Sequence, residues 1–135
     1  MRIYKRHLFL LLLGMLFLLM GVLNYYLLQP DIVLFHFLSI SNNHLINIHP
    51  HWLYVFFAGY FSDAMWCTAL CLVVLVLSDL KYLNTIGKLI TLLLPFLSEA
   101  AQYFGFIRGT FDWFDILTYG IIVMAFSLLS SLFKK

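Results

Sequence analysis

Residues 8–28 form an unbroken run of 21 uncharged residues, and this run constrains the chain more than any other feature. At about 1.5 Å per residue, a helix of that length crosses a hydrocarbon core of about 30 Å. The basic segment at residues 1–7 resembles the start of a secretory signal peptide. However, the apolar run is longer than a signal-peptide core, and no small-residue cleavage pattern follows it. We therefore predict a retained transmembrane helix.

The composition extends this conclusion to the whole chain. Hydrophobic residues make up 64% of the 135 residues and charged residues only 10%. A soluble domain of this size could not bury so much apolar surface, because its surface is large relative to its volume. The sequence also lacks a basic groove for nucleic acid. We predict an all-α, polytopic membrane protein with a single domain, residues 1–135, and four transmembrane helices at residues 8–28, 62–79, 86–106 and 112–133.

Two segments before the second span are predicted to lie at the membrane surface. Residues 32–40 of the first outer loop are mostly apolar and are expected to form a short interfacial helix. The stretch from Trp52 to Ser78 is longer than one crossing requires. Its first part, Trp52 to Phe61, is interpreted as interfacial or partly re-entrant, with a single long tilted helix as the alternative.

The distribution of charge predicts the orientation. Seven of the eight Lys and Arg residues fall on one side of the four spans, and only Arg108 falls on the other. The positive-inside rule then places both termini and the 79–88 loop in the cytoplasm. Most of the acidic residues fall in the opposite, outer half. These are Asp31, Asp63, Glu99, Asp112 and Asp115.

The cysteines and histidines do not indicate a cofactor. Cys67 and Cys71 share one face of an apolar helix, where a disulfide fits badly, so we interpret them as buried small hydrophobic residues. Four of the five histidines lie in the outer loop without a fixed ligand spacing. We predict neither a metal site nor a cofactor.

Polar residues at the end of the third span and the start of the fourth form the candidate site. Glu99 and Gln102 are three residues apart on one helix face, as are Asp112 and Asp115 on the next helix. The short turn between them makes the two helices antiparallel neighbours. An ionised carboxylate at the depth of Glu99 costs several kcal/mol unless it is paired, protonated or hydrated. We therefore expect these four side chains to converge near the outer leaflet.

Two further residues complete the predicted cluster. Asp63 opens the second span at the same level, and Arg108 lies above the cluster in the turn. Structural roles remain open for some members. Asp112 is a candidate N-cap and Asp115 suits the helix dipole, while Arg108 could snorkel to headgroup phosphates.

The order of these residues resembles that of the VanZ-like family of small bacterial membrane proteins. The resemblance rests on a Glu-x-x-Gln at the end of one helix, then an Arg, a turn and Asp residues opening the next helix. Here these are Glu99, Gln102, Arg108, Asp112 and Asp115. It implies a multi-pass protein of the bacterial cytoplasmic (inner) membrane, associated with the cell envelope and glycopeptide resistance.

Three functions are compatible with such a cluster. The first is a binding protein for an envelope lipid or an amphipathic antibiotic. The second is an enzyme acting on a lipid-linked substrate, with the carboxylates as acid and base groups or metal ligands. The third is an oligomeric channel or effector subunit. Membrane lipids are the expected partners, and a homo-oligomer or a neighbouring membrane protein stays open.

Overall fold

The structure is a computed structural model, and it describes residues 2–28, 54, 56–107 and 110–132. All regular secondary structure within these ranges is helical. The long helices are α1 (Arg2–Leu28), α2 (Ser62–Asp79), α3 (Thr85–Tyr103) and α4 (Trp113–Leu132). The predicted all-α class is therefore confirmed for the described ranges. The predicted interfacial helix at residues 32–40 and the four outer-loop histidines lie outside them.

Within the described ranges, three stretches are long and apolar enough to cross a membrane, namely Tyr4–Leu28, Gly59–Asp79 and Trp113–Ser130. They place the chain among helical membrane proteins. The predicted third span is a helix as well, but it is not one of these three. It ends at Tyr103, and Lys88, Glu99 and Gln102 lower its hydropathy.

Residues 57–61 continue into α2 without a break. They form one π-helical turn, Phe57–Phe61, and the backbone at Phe61 and Ser62 keeps right-handed helical angles. This geometry matches the long-helix alternative for residues 57–61, while Trp52 lies outside the described residues. π-Helical turns inside helices are frequently found at functional sites.

α1 packs along α2 through a seven-residue repeat that the sequence analysis did not identify. His7, Gly14, Gly21 and Leu28 are all buried, so every seventh residue of α1 faces its neighbour. A repeat of seven keeps one seam of a helix in contact with a partner over several turns. Small residues in such a seam let two helix backbones approach closely, as is common in membranes.

α2 lies at the centre of the bundle, because it contacts α1, α3 and α4. Its buried cysteines and Tyr119 of α4 form the core, which is completed by side chains from α3 and α4. Phe96 of α3 meets Tyr119 edge to face at 5.9 Å between ring centroids. Cys67 and Cys71 are 2% and 0% exposed and are free thiols, which confirms their interpretation as buried small residues.

The bundle has one basic end and one acidic end. Arg6 of α1 pairs with Asp79 at the end of α2, so these helices are antiparallel. The α2–α3 turn follows at this basic end and carries Lys81, with Lys88 in the first turns of α3. The acidic residues other than Asp79 within the described ranges lie at the other end.

Candidate functional site

Four carboxylates from three helices lie at the acidic end of the bundle. Asp63 lies in the first turn of α2 and Glu99 near the end of α3. Asp112 precedes α4, and Asp115 lies in its first turn. The charges of Asp63, Glu99 and Asp112 all act on Asp115. We call these four residues the acid cluster.

The structure thus brings together four of the six residues predicted for the site. Gln102 is half-buried at the last turn of α3, and its side chain makes no hydrogen bond to any described residue, although its backbone carbonyl accepts from the Gly105 N–H. Arg108 lies outside the residues that the structure describes. Its predicted position above the cluster stays a prediction.

Asp63 is held by a tyrosine of α1. The Tyr25 hydroxyl donates to Asp63 Oδ1 at 2.8 Å. A hydrogen bond to a charged acceptor is short and stronger than one between neutral groups. This bond therefore fixes the carboxylate on the side of α2 that faces α1.

Asp112 has two structural partners. Its Oδ1 accepts from the backbone N–H of Phe114 at 2.9 Å, which is the capping interaction expected of an acid just before a helix. Its Oδ2 accepts from the Tyr60 hydroxyl at 3.0 Å. The predicted capping role is therefore real, and the same carboxylate also connects α4 to the π-helical turn.

Glu99 is almost fully buried, with 3% of its surface exposed. Its Oε2 accepts from the backbone N–H of Asp112 at 3.4 Å, a long contact for a hydrogen bond. This bond connects the end of α3 to the start of α4. A carboxylate has four lone-pair sites, so most of the acceptor capacity of Glu99 is unused by the described residues.

Asp115 is the least satisfied member of the acid cluster. It is 8% exposed, and its Oδ1 has no hydrogen-bond partner among the described residues. The positive end of the α4 dipole stabilises its charge by at most about 2 kcal/mol. Burying a neutral acceptor without a donor costs about 1–3 kcal/mol, and burying a charged acceptor without a donor costs more.

A polar contact between α1 and α2 adjoins the cluster. The Asn24 amide donates to Ser62 Oγ at 2.8 Å and to the Phe57 carbonyl at 2.6 Å. Ser62 Oγ in turn donates to the Gly21 carbonyl at 3.2 Å. These bonds satisfy a carbonyl of the π-helical turn and anchor it to α1.

Sequence reasoning missed the residues that hold the acid cluster in place. Asn24 and Tyr25 lie in the apolar run of α1, and polar side chains inside such a run usually face the protein interior. That signal could have identified both. Tyr119 lies one turn after Asp115 and close enough to Asp63, Glu99 and Asp115 to feel their charges.

Exposed aromatic rings surround the turn between α3 and α4. Tyr103 meets Phe111 at 5.1 Å and Phe111 meets Trp113 at 5.0 Å, both edge to face. Tyr103 and Trp113 are 65% and 72% exposed. Aromatic residues in such positions are typical of the boundary between lipid and water.

Cations of the described residues are concentrated at the opposite end. There Asp79 pairs with Arg6 and lies 3.5 Å from His7 Nε2. Among the residues that the structure describes, no Lys or Arg pairs with the acid cluster. No group of three or more His, Cys, Asp or Glu residues in these ranges could hold a metal ion.

The bundle and its three membrane-length helices define a helical membrane protein with an acidic cluster at one end of the bundle. Compared with protein-family models, with curated proteins and with solved structures, the chain matches none of them. The resemblance to VanZ-like proteins therefore stays a prediction.

Proposed function

We propose that all four long helices cross the bacterial cytoplasmic membrane, with both termini inside and the acid cluster at the outer face. The positive-inside rule supports this orientation, because Arg6, Lys81 and Lys88 share the basic end. The exposed face of α3 supports a fourth crossing, because large apolar side chains cover it. These are Ile86, Leu89, Ile90, Leu93, Leu94 and Leu97.

In this orientation the chain is a binding protein for an amphipathic molecule of the cell envelope, a lipid or an amphipathic antibiotic. The observation that carries the proposal is the burial of both Glu99 and Asp115 without a cationic partner in the described residues. Buried carboxylates are costly and are mostly found where function requires them. A ligand that supplied donors or positive charge would offset that cost.

The bundle offers a suitable environment both to the headgroup and to the hydrocarbon chains of such a molecule. The acid cluster binds the polar or cationic part of the headgroup, while the apolar helix faces contact its hydrocarbon chains. Arg108, by its place in the sequence, is expected to meet an anionic group. The resemblance to VanZ-like proteins favours a role in glycopeptide resistance or envelope maintenance, with a homo-oligomer or a neighbouring membrane protein as further partners.

The experiment compares bound amphiphiles in variants of the acid cluster. Wild type, Glu99→Gln and Asp115→Asn are purified in mild detergent, and the retained lipid per protein is counted by native mass spectrometry. Both variants should retain at least about tenfold less amphiphile, as expected when a charge-assisted hydrogen bond is lost.

Asp79→Asn is the matched control, because it removes the same charge from the basic end. It should retain as much amphiphile as the wild type. Equal retention in all four proteins, each monodisperse and folded, would exclude a ligand site at the acid cluster.

A further inference from the structure

We infer that the acid cluster binds a primary ammonium group. This inference rests on the proposed function and specifies the chemistry of its ligand. The argument depends on which carboxylate oxygens the protein already satisfies and which it leaves open.

The tyrosines and backbone amides occupy one side of the cluster. Asp112 uses both of its oxygens, one for Tyr60 and one for the backbone of Phe114. Asp63 uses Oδ1 for Tyr25. Asp112 is therefore committed to holding the helices together, while Asp63 is held through one of its two oxygens.

The two most buried members, Glu99 and Asp115, have open acceptors as well. Asp115 Oδ1 has no donor among the described residues, and Glu99 has only the 3.4 Å contact to the Asp112 amide. The two residues come from different helices, and Glu99 contacts the backbone N–H of Asp112, one turn before Asp115. A ligand placed between them would meet acceptors from α3 and α4 at once.

A primary ammonium fits these acceptors by charge and by donor number. It carries one positive charge and three N–H donors that point in different directions. Asp115 Oδ1 and the open positions on Glu99 would each receive one. A quaternary ammonium carries the same charge without any N–H donor, so it would leave Asp115 Oδ1 unsatisfied.

The route to this position begins at Asp112. Asp112 is half-buried, and Asp115 follows it three residues later, one turn further into the bundle. Tyr60 and Phe114 flank Asp112, with 5.9 Å between their ring centroids. The ammonium would arrive at the headgroup level and displace the Tyr60–Asp112 bond as it moves toward Asp115.

The test uses phospholipids that share their acyl chains and differ only in N-methylation. Full-length protein in detergent is exposed to phosphatidylethanolamine, its mono- and dimethyl forms and phosphatidylcholine, and retention is measured by native mass spectrometry. Retention should fall stepwise with methylation, by about tenfold or more from the primary to the quaternary amine.

Asp115→Asn keeps the side-chain volume and should remove this preference for the primary amine. Glu99→Gln is the second test variant if Asp115→Asn does not fold. Asp79→Asn should keep the preference. A preference for the primary amine that survives in folded Asp115→Asn and Glu99→Gln would overturn the assignment.

Two soluble probes identify the source of the amine and the main competitor. Thermal stabilisation by free ethanolamine, lost in Asp115→Asn, would support a soluble amine as the ligand. Retention of phosphatidylethanolamine without that effect would support a lipid headgroup. Stabilisation by Mg²⁺ or Ca²⁺ alone would overturn the inference.

The outcomes separate this inference from the proposed function. Equal retention of all four lipids, still lost in the variants, would leave an amphiphile site and exclude selection of primary amines. Retention of no amphiphile by the wild type would overturn both.

Discussion

Tyr25 of α1 and Asp63 of α2 are joined by a hydrogen bond of 2.8 Å across the contact between the two helices. The bond ties one member of the acid cluster to α1. Neutral tyrosine hydroxyls donate to Asp63 and Asp112, whereas Asp115 Oδ1 has no donor in the part of the chain that the structure describes.

Removing the Tyr25 hydroxyl should destabilise the bundle. In Tyr25→Phe the Asp63 carboxylate loses its donor, and we expect a loss of about 0.5–2 kcal/mol, the range for hydrogen bonds between membrane helices. Thermal unfolding in detergent measures the change. Tyr82→Phe is the control, because Tyr82 is 77% exposed in the α2–α3 turn. Equal effects of the two substitutions would show that the hydroxyl of Tyr25 has no structural role.

Gly21 should not tolerate even alanine. A Cβ at this position would lie 2.7 Å from Cδ1 and Nε1 of Trp66, so the helices would have to separate or the indole to move. We expect Gly21→Ala to cost about 1–3 kcal/mol, as for overpacking in a core.

Gly14 provides the matched comparison in the same seam. Its Cβ would lie 3.7 Å from the Ala69 carbonyl, which is ordinary contact. Gly14→Ala should leave stability unchanged or raise it by up to about 1 kcal/mol through helix propensity. Thermal unfolding measures the stability of both variants. A larger loss of stability in Gly14→Ala than in Gly21→Ala would contradict the described packing of α1 against α2.

Lys81→Gly should stabilise the protein. Lys81 ends α2 in the left-handed region with φ of 61°, and its neighbours make the hydrogen bonds of a Schellman motif. A side chain in that conformation costs about 1 kcal/mol relative to glycine. The gain is measured as a higher unfolding temperature. Lys88→Gly removes the same charge from inside α3 and should instead lower that temperature, since glycine is unfavourable within a helix.

The pair between Arg6 and Asp79 should contribute little. The Arg6 side chain is 53% exposed, and exposed ion pairs contribute about 0–1 kcal/mol. Asp79→Asn should therefore lower stability slightly at low salt, and the difference from the wild type should shrink at high salt. A large loss that is independent of salt would instead point to the buried His7 as the partner that matters.

The proposed orientation can be tested with reporter fusions. A reporter that is active only in the cytoplasm should be active when it is fused after Lys81. A reporter that is active only outside should be active when it is fused in the turn near Phe106, because the positive-inside rule orients the spans. Finding both reporters on one side would show that α3 does not cross the membrane.

The amino-acid sequence by itself determined the helices, their compatibility with lipid and the division into a basic and an acidic end. These properties follow from the length, hydropathy and charge of continuous segments, so residues 8–28 and Lys81 are informative without any knowledge of contacts. Helix periodicity and the short α3–α4 turn also predicted that Glu99 and Asp115 would approach each other.

Only the tertiary structure decided which carboxylates are satisfied. Tyr25 lies 38 residues from Asp63, and Tyr60 lies 52 residues from Asp112, so no local pattern connects them. The Tyr25–Asp63 bond depends on the packing of α1 against α2 at Gly21. The Tyr60–Asp112 bond depends on the π-helical turn, which places Tyr60 beside α4. Packing between distant segments therefore directed the Tyr25 and Tyr60 hydroxyls to Asp63 and Asp112, whereas Asp115 Oδ1 has no donor among the described residues.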